Sequence, residues 1–206
     1  MKKLTSRVLT GLAAGALASA TVAAMSAPAQ AAADTYTPTG PDPVVFVGND
    51  VAFTADEAGQ TLTCETFDLS GSISNSGTSR AFGESAGTLP DLTSDNCTNP
   101  IAGDTVVEPT GTWDVAITGA EVGSVSPAVL RDVTASVSAA SCDFNVAGTV
   151  TGDFDDSTGV FAPTGSTLVI SDDPQGFICT LLGIAKGQSI SVTGSWTAQG
   201  LTITNP

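Results

Sequence analysis

The sequence predicts an all-β protein, a β-sandwich or barrel built from two internally duplicated units with one disulfide in each. Three observations carry this reading. Apolar and polar residues alternate with a period of two, Gly or Pro interrupts the alternation every few residues, and one set of landmarks occurs twice in the same order. Trp113, Val115 and Ile117 share one parity against Asp114, Ala116 and Thr118; Val133, Ala135 and Val137 repeat the pattern, as do Ile190, Val192 and Trp196. Stripes at helical spacing are hard to find, and roughly a dozen short strands of this kind suit a sandwich or a barrel.

Along the chain, residues 1–31 read as a secretory signal peptide. Lys2, Lys3 and Arg7 lead, an apolar run over 8–24 follows, and Ala29-Gln30-Ala31 supplies the small-x-small cleavage site. The run is mostly Ala, Gly and Thr, too short and too weakly apolar for a membrane span. Residues 32–43, with Thr37-Pro38-Thr39-Gly40-Pro41-Asp42-Pro43, read as an extended N-terminal lead-in rather than folded core. Residues 44–206 then form one all-β domain made of repeats 44–118 and 119–206. Two tandem small β-domains are the alternative, with the Gly- and Pro-bearing stretch 118–129 as linker.

The repeat rests on five ordered landmarks. The first half reads Cys64, Gly71 to Ser74, Thr88-Leu89, Cys97-Thr98 and Thr110 to Trp113. The second reads Cys142, Gly148 to Thr151, Thr167-Leu168, Cys179-Thr180 and Thr193 to Trp196. Cys64 stands one residue further from its glycine than Cys142 does, and an odd difference flips side-chain parity, which predicts a β-bulge between Cys64 and Phe67. Four cysteines in an exported chain imply two disulfides, with three possible connectivities. A single unit oxidised before duplication could pair only its own two cysteines, which favours Cys64 with Cys97 and Cys142 with Cys179. Trp113 and Trp196, at matched strand positions with apolar neighbours, read as core residues.

Charge narrows the chemistry. The 206 residues carry 21 Asp and Glu, 6 Lys and Arg and no His, a net charge of −15. Loss of the leader would leave Arg80, Arg131 and Lys186 against all 21 carboxylates, or −18. Without histidine the commonest general base, the Ser-His and Cys-His dyads and imidazole metal sites are all absent. So acidic a chain argues against nucleic acid and anionic lipid as partners, and self-repulsion favours a soluble monomer. A carboxylate-pair hydrolase needs no histidine but asks for two acids flanking an aromatic-lined cleft, and parity points Asp114 away from the core. Asp153, Asp155 and Asp156, in the run Asp153 to Gly159, are a weak calcium candidate. Thr158 and Thr164 stand where a calcium loop of the EF-hand type needs Gly and a bidentate Glu, so a hairpin turn with Gly159 at positive φ is the plainer reading.

With its leader, acidic Ala/Thr/Gly/Ser/Val composition and paired Cys-Thr to Thr-Gly-[Ser/Thr]-Trp segments, the chain resembles small secreted actinobacterial all-β proteins of unknown function. It is similar to the neocarzinostatin-like apoproteins in acidity and four-cysteine count. That group carries a chromophore in an immunoglobulin-like sandwich and closes short disulfide loops, whereas the cysteines paired here stand 33 or more residues apart. The subtilisin-inhibitor group shares the cysteine count, but this chain has no matching reactive loop. The resemblance carries no motif of known chemistry, and the residues themselves predict a secreted, non-catalytic extracellular or cell-envelope structural or interaction protein without a cofactor. Its partner would be an extracellular protein, a glycan or a small molecule. The alternatives are a small-molecule carrier with an apolar pocket between sheets or in a barrel mouth, a protease-inhibitor-like module and a carboxylate-based hydrolase.

Overall fold

The computed structural model describes residues 34–205, and the signal peptide read at 1–31 lies outside them. Their strands are β1 (Thr35–Thr39), β2 (Val44–Ala55), β3 (Gln60–Ile73), β4 (Arg80–Ala81), β5 (Gly87–Asn99), β6 (Gly103–Pro109), β7 (Trp113–Ile117), β8 (Val125–Ala139), β9 (Cys142–Asp155), β10 (Val160–Ser166), β11 (Leu168–Ile170), β12 (Ser189–Ala198) and β13 (Thr202–Thr204). One short helix, α1 (Phe177–Leu182), stands between β11 and β12. No helix of the described residues is long and apolar enough to cross a membrane.

The strands close into an eight-position antiparallel barrel with a small sheet at one end. Six positions are the long strands β2, β3, β5, β8, β9 and β12. The other two are each shared by a pair of short strands. β6 and β7 together bridge β5 and β8, and β10 and β11 together bridge β9 and β12. Pairing of β12 with β2 completes the circle and leaves no open edge in the ring. Strands from 44–118 and from 119–206 meet at β8 and again at β12, so a single barrel uses both. The stretch 118–129 runs directly into β8 instead of linking two domains.

Alternation in sequence becomes inside and outside. Val133, Ala135 and Val137 point inward from β8, and Trp113, Val115 and Ile117 do so from β7, all buried. An aromatic layer crosses the middle of the barrel, with Phe67 at its centre: Phe53, Trp196 and Trp113 lie 4.9, 6.2 and 6.4 Å from it between ring centroids. Both indoles donate to main-chain carbonyls, Trp113 to Thr134 at 3.0 Å and Trp196 to Phe67 at 2.8 Å, which satisfies the one polar atom each buries. The disulfides join Cys64 to Cys97 across β3 and β5, and Cys142 at the start of β9 to Cys179 in α1.

Three details differ from the sequence reading. The lead-in is extended, yet β1 pairs with β13 and β4, and Tyr36 and Pro38 are among the most deeply buried residues. The bulge expected between Cys64 and Phe67 is not there, since β3 pairs with β2 without a slip from Gln60 to Gly71. The slip in β3 falls against β5 between Ser70 and Ser72, around Gly71, where a Cβ would collide with the Thr88 carbonyl. Only glycine admits that approach, so the irregularity settles there. Finally, Cys97 lies in one continuous strand, whereas its landmark counterpart Cys179 lies in a helix, because the second half shifts register between Pro163 and Gly165, is interrupted between β10 and β11, and leaves the sheet at Ile170, ahead of Asp172-Asp173-Pro174.

Candidate functional site

The two ends of the barrel are closed differently, and the candidate site lies at the more open one. At the closed end the sheet β13-β1-β4 packs across the opening and brings Tyr36, Leu201 and Ile203 into the core. Tyr36 stacks on Phe82 with centroids 6.3 Å apart and donates its hydroxyl to the Glu84 carbonyl at 2.5 Å. Arg80 lies over the Tyr36 ring and donates to the carbonyls of Ser74 and Ser85. Arg131 is held by the Asp114 carboxylate and donates to the Gly83 carbonyl at 2.7 Å. Two of the three basic side chains among the described residues therefore clamp the 74–87 connection by its main chain. The void remaining inside this end measures only about 20 Å³.

The opposite end carries a cavity of about 90 Å³. The turns of the β2–β3, β5–β6 and β8–β9 hairpins and the α1 segment surround it. Phe67 and Trp113 of the aromatic layer form its floor. The ends of β6, β8 and β9 supply Val107, Ala135, Val137 and Phe144, while Leu182 and Ile184 reach in from α1 and the residues after it. Inward-facing Leu62, Phe144 and Val146 are only half-buried there, because the space they face is not filled.

The α1 segment is firmly attached. Cys179 is bonded to Cys142, the main chains of Asp143 and Gln175 exchange two hydrogen bonds of 2.8 and 2.9 Å, and Asp172 accepts from the Asn145 main chain and side chain. Gly176, at φ 103, packs so closely on the Ser141 carbonyl that no Cβ could stand there, and Gly183 ends the helix in the left-handed conformation. Phe177 and Leu181, four residues apart on one helical face, are 74% and 63% exposed.

Chemically, the hollow is almost wholly apolar. Its polar lining is Gln60, Asn99 and Thr105, neighbours on β3, β5 and β6. Asn99 donates to the Thr61 carbonyl at 2.9 Å and accepts from the main-chain N–H of Ile101 and Ala102 at 2.9 Å each. Thr105 donates to the Gly103 carbonyl. The lining contains no ionisable side chain, Cys142 being in a disulfide. Proton transfer, nucleophilic attack and metal ligation therefore have no group to perform them inside the hollow; what it can do is exclude water from an apolar molecule.

The carboxylates singled out in the sequence lie elsewhere. Asp155 accepts from the Ser157 hydroxyl at 2.7 Å and main-chain N–H at 2.9 Å, and these bonds hold its carboxyl below the usual range. Asp156 accepts from the main-chain N–H of Ile203 at 2.5 Å, tying the β9–β10 hairpin to the small sheet. Asp153 is a strand residue of β9, paired with Ala162. The three are not brought to one point, and no group of three or more candidate ligands for a metal ion exists among the described residues. The run over Phe177 to Ile184 was the feature sequence reasoning passed over. It is a short apolar stretch that follows Gly176 and is interrupted by Gly183, where periodicity cannot separate helix from strand. No family model, curated protein or solved structure matches the chain.

Proposed function

We propose that this is a secreted, non-catalytic extracellular binding protein that holds a small apolar molecule in the mouth of its barrel. The observation that carries the reading is the 90 Å³ hollow with three polar residues in an otherwise apolar lining. It is smaller than the roughly 300 Å³ at which drug-sized ligand sites begin, so the occupant is small or inserts only one end. An apolar cavity of about 150 Å³ takes benzene or xenon, which sets the scale. Benzene or xenon added to the mature protein should shift the NMR resonances of Trp113 and Phe144, and Ala135→Leu, which fills the hollow, should abolish the shifts while the barrel stays folded. Unchanged resonances in the parent protein would overturn the reading. The two disulfides and the leader-like sequence support an extracellular setting.

A second reading, an envelope or protein interaction module, is favoured by the exposed Phe177 and Leu181. Their joint replacement by Ser should release the protein from its partner surface without altering the melting temperature. Equal retention of parent and variant on the cell envelope would count against it.

We further infer that the barrel arose by duplication of a unit of about four strands. Supporting this, Gly71 and Gly148 make the same approach to the Thr-Leu pair of the next strand. A Cβ on either would lie 2.8 Å from the Cα of Leu89 or Leu168. Asp50 and Asp132, each just before an inward Val, take φ of 53° and 54°.

A further inference from the structure

The polar residues of the hollow define what class of molecule would fit it, and the inference rests on the proposal that the hollow is a ligand site. Gln60, Asn99 and Thr105 sit together on one side of the mouth, across the ring from the strands that α1 joins. Asn99 and Thr105 are occupied by their own main-chain partners. Gln60 receives only a long contact of 3.4 Å from the Asn99 amide on its Oε1, and its Nε2 donates to no group among the described residues. Gln60 is also the first residue of β3, so it stands at the rim, with the apolar space beneath it.

An anion entering this hollow would meet no cation in the lining, and it would approach through the field of a strongly acidic chain. A cation would lose its hydration and find no carboxylate. A pure hydrocarbon could enter, but it would offer no acceptor to the half-buried Gln60 amide, which otherwise has only water to donate to.

We propose that the hollow takes an uncharged molecule with a short apolar end and a hydrogen-bond acceptor a few carbons along, the apolar end entering beneath the rim and the acceptor held by Gln60 Nε2. A ketone, ester or ether oxygen meets this description.

Three probes with one five-carbon skeleton test it: pentane, pentan-2-one and pentanoate, titrated into the mature protein by NMR with Trp113 and Phe144 as reporters. Pentan-2-one should bind about fivefold more tightly than pentane, the size of effect expected for one neutral hydrogen bond. Pentanoate should not bind measurably. Gln60→Leu should retain pentane and lose the fivefold preference, and Gln60→Glu, which keeps the shape but removes the donor, should lose it too. Equal binding of pentane and pentan-2-one by the parent protein, comparable binding of pentanoate, or a preference that survives in folded Gln60→Leu would each overturn the proposal while leaving the hollow a ligand site. Binding of none of the three would overturn both.

Discussion

The closed and the open end of this barrel are made from the same strands, and they differ in what lies across them. At the closed end a three-stranded sheet crosses the opening, Tyr36, Leu201 and Ile203 fill the space beneath it, and two arginines fix the neighbouring connection by its carbonyls. At the open end a six-residue helix tied to one side leaves inward-facing Leu62, Phe144 and Val146 half-buried. An eight-position barrel has an interior just wide enough for side chains to fill or for one small ligand. Which of the two happens here follows what lies across each end: Leu201 and Ile203 join Phe46, Leu69, Phe154 and Phe161 around the filled space below the aromatic layer, whereas above it Leu182 and Ile184 reach in from the α1 segment and leave the hollow beside Ala55, Ala135 and Ala139.

Removal of a large residue from the closed half should produce the largest effect. Trp196→Ala deletes a buried indole and its hydrogen bond to Phe67, and should cost about 3–5 kcal/mol in urea unfolding. The staple of the open half comes next. Replacing Cys142 and Cys179 together by Ala releases a loop with a sequence separation of 37 and should cost about 3–4 kcal/mol in the chain-entropy account. Loss of ligand binding together with that stability would show that α1 holds the hollow's shape.

A matched pair of insertions separates the ends more sharply. Ala128→Leu in the filled half should destabilise by about 1–3 kcal/mol through overpacking. Ala135→Leu, directed into the hollow, should be neutral or stabilising by up to about 1 kcal/mol. Equal penalties for the two would contradict the difference between the ends.

The smallest effect concerns pH. Burial pushes the Tyr36 phenol above its ordinary value near 10, against the pull of Arg80. The folded protein then keeps a proton that the unfolded chain releases, so this contribution is intact below pH 10 and is lost as pH rises through the folded value. Tyr36→Phe should flatten the decline in urea midpoint between pH 9 and pH 11. No ionisable group lines the hollow, so the affinity for an uncharged probe should stay level from pH 5 to pH 9.

Much of the fold is legible in the sequence. The parity of Trp113, Val115 and Ile117 assigned their faces, and pairing within each half gave the observed disulfides. The hairpin at Asp155 to Gly159 also has the turn chemistry read from it, with Gly159 at φ 68. The site was not legible. Leu182, Ile184, Phe144 and Gln60 are far apart in sequence and carry no catalytic or metal-ligand pattern, so nothing in their spacing shows that they line one space. The burial of Tyr36 was equally hidden, because its partners in β4 and β13 are short and distant.

By itself the sequence determined that the chain is all β, which residues of each strand share a face, which cysteines belong together, and that histidine chemistry is absent. These are local properties, set by a two-residue period and by composition. Tertiary structure alone decided that the strands close into one ring, that the small sheet crosses one end and that a hollow is left beside the α1 segment at the other. A cavity is a sum over residues from every strand, and only closure of the barrel brings those residues around the same space.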